Sequence, residues 1–84
     1  MLEKLRNEIE SIDKSMVELF EKRMEVVKQI KEFKKANNIS LVDLEREESL
    51  HTKNKEYLKN KDFEPYYDEF LDEVLYLSKK YQNK

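Results

Sequence analysis

In steps that alternate between three and four residues, Leu2, Leu5, Ile9, Ile12, Met16, Leu19, Arg23, Val26, Ile30 and Phe33 follow one another from the start of the chain. That spacing predicts one helix with a continuous apolar seam, the kind two helices bury between them. The helix is predicted to run from Leu2 to about Lys35, because Asn37 and Asn38 can supply the left-handed stop that glycine usually provides. At about 1.5 Å per residue it would be roughly 50 Å long. A compact globule of this chain length is only about 30 Å across, from a radius of gyration near 12 Å. The helix is therefore expected to project beyond its own domain, and a second copy of the chain is expected to cover the seam.

Two shorter helices follow. The second is predicted to begin between Ser40 and Asp43, either of which can cap it, and to continue to about Leu58 before the lysines and asparagines at 59–61. The third opens where Asp62 and Glu64 place negative charge at an amino end and Pro65 fits the first turn, and it runs to about Gln82. The fold class expected is all-α, with three helices per chain in an intertwined helical homodimer, residues 1–84 forming a single domain.

Polar residues interrupt each apolar stripe. Arg23 is the one charged residue among the ten seam positions. A guanidinium cannot shed its proton to suit an apolar setting, so it must find anions or bear a desolvation cost. Taken alone, Arg23 equally suits a register-setting polar residue in a coiled coil. Lys34 lies within roughly 20° of the same face and about 16 Å further along the axis, so two long cationic stems could grip one small ligand. Arg6 is about 25 Å from Arg23 along the axis and rotated by roughly 100°, which keeps it from that ligand within its own chain. Between antiparallel long helices it could enter the partner's site instead. On the second helix Asp43, Arg46, Glu47 and Leu50 share a face, and on the third Tyr67, Leu71 and Val74 lead into Ser78 and Gln82. If these faces converge, they enclose a pocket of cations, neutral donors and one or two carboxylates, suited to a small dianion bearing a hydroxyl.

Composition narrows the chemistry. Hydrophobic residues make up 38% of the chain and charged residues 43%, with one Pro and no Gly, which suits helices with narrow apolar faces. Without glycine there is no phosphate-cradling loop or dinucleotide fingerprint. No cysteine and one histidine leave no disulfide, thiolate nucleophile or metal cluster of ordinary spacing. A net charge of −2, with lysines interleaved among acids, argues against nucleic acid as a partner. No leading hydrophobic signal region and no run of about 20 apolar residues is present, so no membrane partner and a cytoplasmic location are expected. His51 is expected to be exposed or partly packed with no metal or general-base role. Tyr66, Tyr67, Phe70, Tyr76 and Tyr81 are expected as core and flank.

The ordered set of motifs resembles the all-helical chorismate mutase family, whose members are intertwined dimers of three-helix chains. The resemblance spans nearly the whole chain. It rests on Leu5-Arg6-Asn7-Glu8-Ile9 with Ile12-Asp13, on Leu19-Phe20-Glu21-Lys22-Arg23, on Lys34, on Asp43 with Glu45-Arg46-Glu47, and on Ser78 and Gln82. It implies that Arg23, Ser78 and the partner's Arg6 hold two substrate carboxylates, and that Lys34 and Gln82 flank the ether oxygen. Glu47, helped by the backbone at Asp43, would take the ring hydroxyl, with Arg46 bordering the pocket.

The implied reaction is the Claisen rearrangement of chorismate to prephenate, in phenylalanine and tyrosine biosynthesis. It is unimolecular and requires no cofactor, nucleophile or proton transfer. Two alternatives stand beside this expectation. An isochorismate pyruvate lyase shares the fold, although the pattern at Asp43, Arg46 and Glu47 suits the mutase better. A non-catalytic dimerisation or regulatory module is the other, and the intact polar set argues against it. Docking to another enzyme of the shikimate pathway is left open.

Overall fold

The three-and-four spacing produces one unbroken helix, α1 (Leu2–Ala36). In this computed structural model, which describes residues 1–84, α2 (Leu44–Lys55) and α3 (Glu64–Gln82) follow, with one 3-10 turn at Lys61–Phe63 leading into α3. The fold is all-helical, with three α-helices and no strand.

The stop after α1 works without glycine. Asn38 takes the left-handed conformation at φ 54°, and the Ile39 N–H reaches back to the Lys34 carbonyl at 2.9 Å, which closes the helix end. The Asn37 side chain adds a bond to the Phe33 carbonyl at 2.8 Å. At the start of α2, Asp43 accepts the Arg46 N–H at 3.1 Å, a cap of the kind worth about 1 kcal/mol. α2 ends at Lys55, three residues short of the expected Leu58. The backbone keeps turning but tightens: Glu56, Tyr57 and Leu58 each donate to the carbonyl three residues back, not four. Asn60 caps the 3-10 turn through the Asp62 N–H at 3.0 Å, and Pro65 occupies the first turn of α3.

α3 is the hub. α1 and α2 each pack on it, and their backbones do not approach one another. The few buried residues are Val27 on α1 with Leu71, Leu75 and Ser78 on α3. Their spacing on α3 makes the expected apolar stripe, with Leu75 as a member, and Tyr67 and Val74 stand half-buried beside it.

The amino-terminal part of α1 is uncovered. Every residue from Met1 to Lys22 is exposed, and Arg23 is the first that α3 begins to shield. Leu2, Leu5, Ile9, Ile12, Met16 and Leu19 all face outward, as do Val26, Ile30 and Phe33 beyond Arg23. The chain measures 54 × 24 × 16 Å with a radius of gyration of 15.7 Å, well above the compact expectation. Its surface is 7437 Å². A compact monomer of this mass would expose roughly 5,400 Å².

α2 contains no buried residue. It is held on α3 by an antiparallel series of polar bridges: Glu47 to Lys79 at 2.9 Å, His51 to Asp72 and Asp68 at 2.8 Å each, and Lys55 to Asp68 at 3.0 Å. The Asn54 amide also donates to the Tyr67 hydroxyl at 3.1 Å. These bridges set where the start of α2 stands against the end of α3, and both ends carry candidate site residues.

Candidate active site

Arg23 stands on the border between the exposed seam and the face that packs on α3. Four residues further on, and so on the same side of the helix, is the buried Val27. This position turns the guanidinium onto the carboxyl-terminal part of α3, where Nη1 donates to the Ser78 hydroxyl oxygen. Ser78 is 5% exposed and donates its own O–H to the Val74 carbonyl at 2.8 Å, leaving its oxygen lone pairs free to accept. Burial pushes Arg23 below its ordinary pKa, with Tyr67 acting the other way. It remains a cation, because arginine does not deprotonate in proteins. None of the chain's four ion pairs involves Arg23. A half-buried guanidinium bonded only to a neutral hydroxyl has donors left for an anion.

One turn beyond Ser78, Gln82 enters the wall of a cleft of about 290 Å³. Lys34 lines the same cleft, with Lys31, Lys35, Asn38, Ile39 and Leu41. The Lys34 ammonium rests against the Leu41 carbonyl at 3.4 Å, a long contact that a stronger acceptor would displace. The Gln82 Oε1 is buried and has no hydrogen-bond partner. A buried polar atom without a partner is uncommon, and a half-turn of the amide exchanges this oxygen for its two N–H donors. The expected pair Lys34 and Gln82 therefore meets in one cleft, with polar capacity unspent.

The other predicted residues are placed as follows. Asp43 caps α2 through one carboxylate oxygen, Oδ1, and its carbonyl accepts the Glu47 N–H at 3.1 Å, so its backbone N–H is the main-chain group left for a ligand. Arg46 is exposed. Glu47 is half-buried against α3 and bound to Lys79. Arg6 is exposed on the projecting part of α1, remote from Arg23 within its own chain.

Two groups were not anticipated. Lys79 falls four residues after Leu75 and eight after Leu71, so its phase on the α3 stripe is readable from the chain. His51 meets a carboxylate at each ring nitrogen, where an exposed or partly packed ring was expected. Its signal was a matched spacing: His51 and Lys55 stand one turn apart on α2, as do Asp68 and Asp72 on α3.

Residues 5–83 match the family model described as chorismate mutase type II. The chain belongs to that family. No curated protein and no solved structure matches it. Membership of the chorismate mutase type II family agrees with the resemblance read from the ordered motifs, and it supports chorismate mutase chemistry in general. No helix of this family member is long and apolar enough to cross a membrane.

Proposed function

We propose that the chain is a chorismate mutase that converts chorismate to prephenate as a homodimer, residues 1–84 acting as one catalytic domain. The observation that carries this reading is the pairing of an ion-pair-free Arg23 on Ser78 with a cleft that Lys34 and Gln82 share. Arg23, Ser78 and the partner's Arg6 are assigned to the two substrate carboxylates. Glu47 and the Asp43 backbone take the ring hydroxyl, and Arg46 borders the site.

The rearrangement breaks the ether C–O bond as the new C–C bond forms, within one molecule and without a covalent intermediate. The protein's part is to hold the compact conformer, with the reacting carbons close, and to aim donors where negative charge grows on the ether oxygen. Lys34 and Gln82 are those donors. A carboxylate-rich substrate also suits a cleft lined by Lys31, Lys34 and Lys35.

The uncovered α1 supports the dimer. The chain exposes roughly 2,000 Å² more than a compact monomer would, an area in the range that permanent homodimers bury. A second α1 lying antiparallel on the seam would also bring Arg6 toward Arg23 of the other copy.

The test is to mix purified protein with chorismate and follow its loss and the product, with the mass in solution measured by sedimentation. Prephenate from a dimer is the expected result. Pyruvate from isochorismate without turnover of chorismate would assign the lyase activity, and no turnover of either would assign a binding module.

A further inference from the structure

The ion pair between Glu47 and Lys79 poses an electrostatic question for the site. Glu47 is the one carboxylate whose side chain the mutase reading brings to the substrate. It is also 19% exposed, so water screens it poorly. Beside a dianionic substrate, such a carboxylate repels what it is meant to bind. Lys79 lies on the same stripe of α3 as Leu71 and Leu75, directly after Ser78 and one turn before Gln82. Its ammonium is 2.9 Å from Glu47 Oε1.

We propose that Lys79 is a positioning residue that fixes the Glu47 carboxylate and cancels its charge, so that one oxygen can accept the substrate's ring hydroxyl without driving the dianion away. The inference rests on the mutase reading. Lys79 itself touches no reacting atom. One Glu47 oxygen holds the ammonium, and the other remains to accept, since a carboxylate has lone pairs on both. The same bridge holds the first turn of α2 against α3 next to Ser78, so position and charge balance come from one contact.

Steady-state kinetics on the full chain separate this role from a plain tether between helices. Lys79→Gln keeps a hydrogen-bond donor and removes the charge. It should raise KM for chorismate about tenfold or more, the effect of an uncompensated like charge, while kcat stays within a few-fold. Lys79→Arg should restore KM to near the wild-type value. In a Glu47→Gln background, where no charge needs cancelling, Lys79→Gln should add no further rise in KM.

Should Lys79→Gln fail to fold, Lys79→Met repeats the comparison, with the unfolding midpoint as the check on folding. A wild-type KM in the folded Lys79→Gln variant overturns the proposal. So does an equal rise in KM in the two backgrounds, or a fall in kcat that simply tracks the unfolding midpoint. Wild-type protein inactive on chorismate would instead overturn the mutase reading, and the proposal with it.

Discussion

His51 and Asp68 join α2 to α3 through a bond of 2.8 Å between Nδ1 and Oδ1, while the opposite ring nitrogen reaches Asp72 at the same distance. Two carboxylates within 2.8 Å of the ring favour its protonated form. The bond to Asp68 is the main cause that raises the His51 pKa, with Asp72 adding to it and burial opposing it. Asp68 is lowered in return, first by His51 and then by Lys55. A raised histidine stabilises the fold fully below its unfolded value of about 6.5 and loses that contribution as pH rises through the raised value. A lowered aspartate contributes above its unfolded value of about 3.9 and loses this as pH falls. The bridge is thus strongest between those two values. The unfolding midpoint of wild type, measured relative to His51→Asn, should shrink toward zero from pH 6 to pH 9. A constant difference would show that the imidazolium is not what holds the helices. With one histidine in the chain, its titration by NMR gives an unambiguous second reading.

Gln82→Ala and Lys34→Ala should each lower kcat by about two to three orders of magnitude, since losing one donor to a developing oxyanion costs about 3 to 4 kcal/mol. Both variants should remain folded dimers by sedimentation. Near-normal turnover in either would remove that residue from the site. Gln82→Glu offers a sharper contrast, because a carboxyl must be protonated before it can donate. Its activity should rise as the pH is lowered, while the wild type needs no acid.

Arg23→Leu should separate stability from activity. The change extends the apolar seam and removes a partly desolvated charge, a replacement that is often neutral or stabilising. Turnover should fall at least about tenfold, because a charge-assisted contact is worth about 1.5 to 3 kcal/mol. Thermal unfolding should show an equal or higher midpoint. A large drop in the midpoint would mean that Arg23 serves the fold first.

Arg6 is assigned to the partner's site, which complementation can test. Arg6→Ala and Lys34→Ala chains, each nearly inactive alone, should regain about a quarter of wild-type activity when unfolded together and refolded as mixed dimers. Half the dimers would then be mixed, each with one intact site. If Arg6 served its own chain, no mixed dimer would hold an intact site and activity would stay low.

The chain announced its long helix, its polar interruptions and the start signals of the two shorter helices because these are local. A stop built on Asn38 and a cap built on Asp43 need only neighbours within a few residues. The exposed seam was also legible, since a helix longer than its domain must leave part of itself uncovered. Helical phase put Lys34 and Gln82 on inward stripes of their own helices, while their pairing was implied by the family resemblance alone. What escaped depended on the register of α2 against α3. Glu47 meets Lys79, and His51 meets Asp68 and Asp72, only once one helix has slid to its place along the other. Phase names a face without naming the residue opposite. The early end of α2 escaped for another reason: a tightening backbone keeps a helical pattern of side chains for a few residues while its bonding has already changed.

α2 has charged and polar bridges where the other helices have buried side chains. Segments with few buried apolar contacts open at the lowest free energy, so its amides should exchange with solvent well before those of α3. The segment that carries Asp43, Arg46 and Glu47 is then thermodynamically softer than the α3 it rests on.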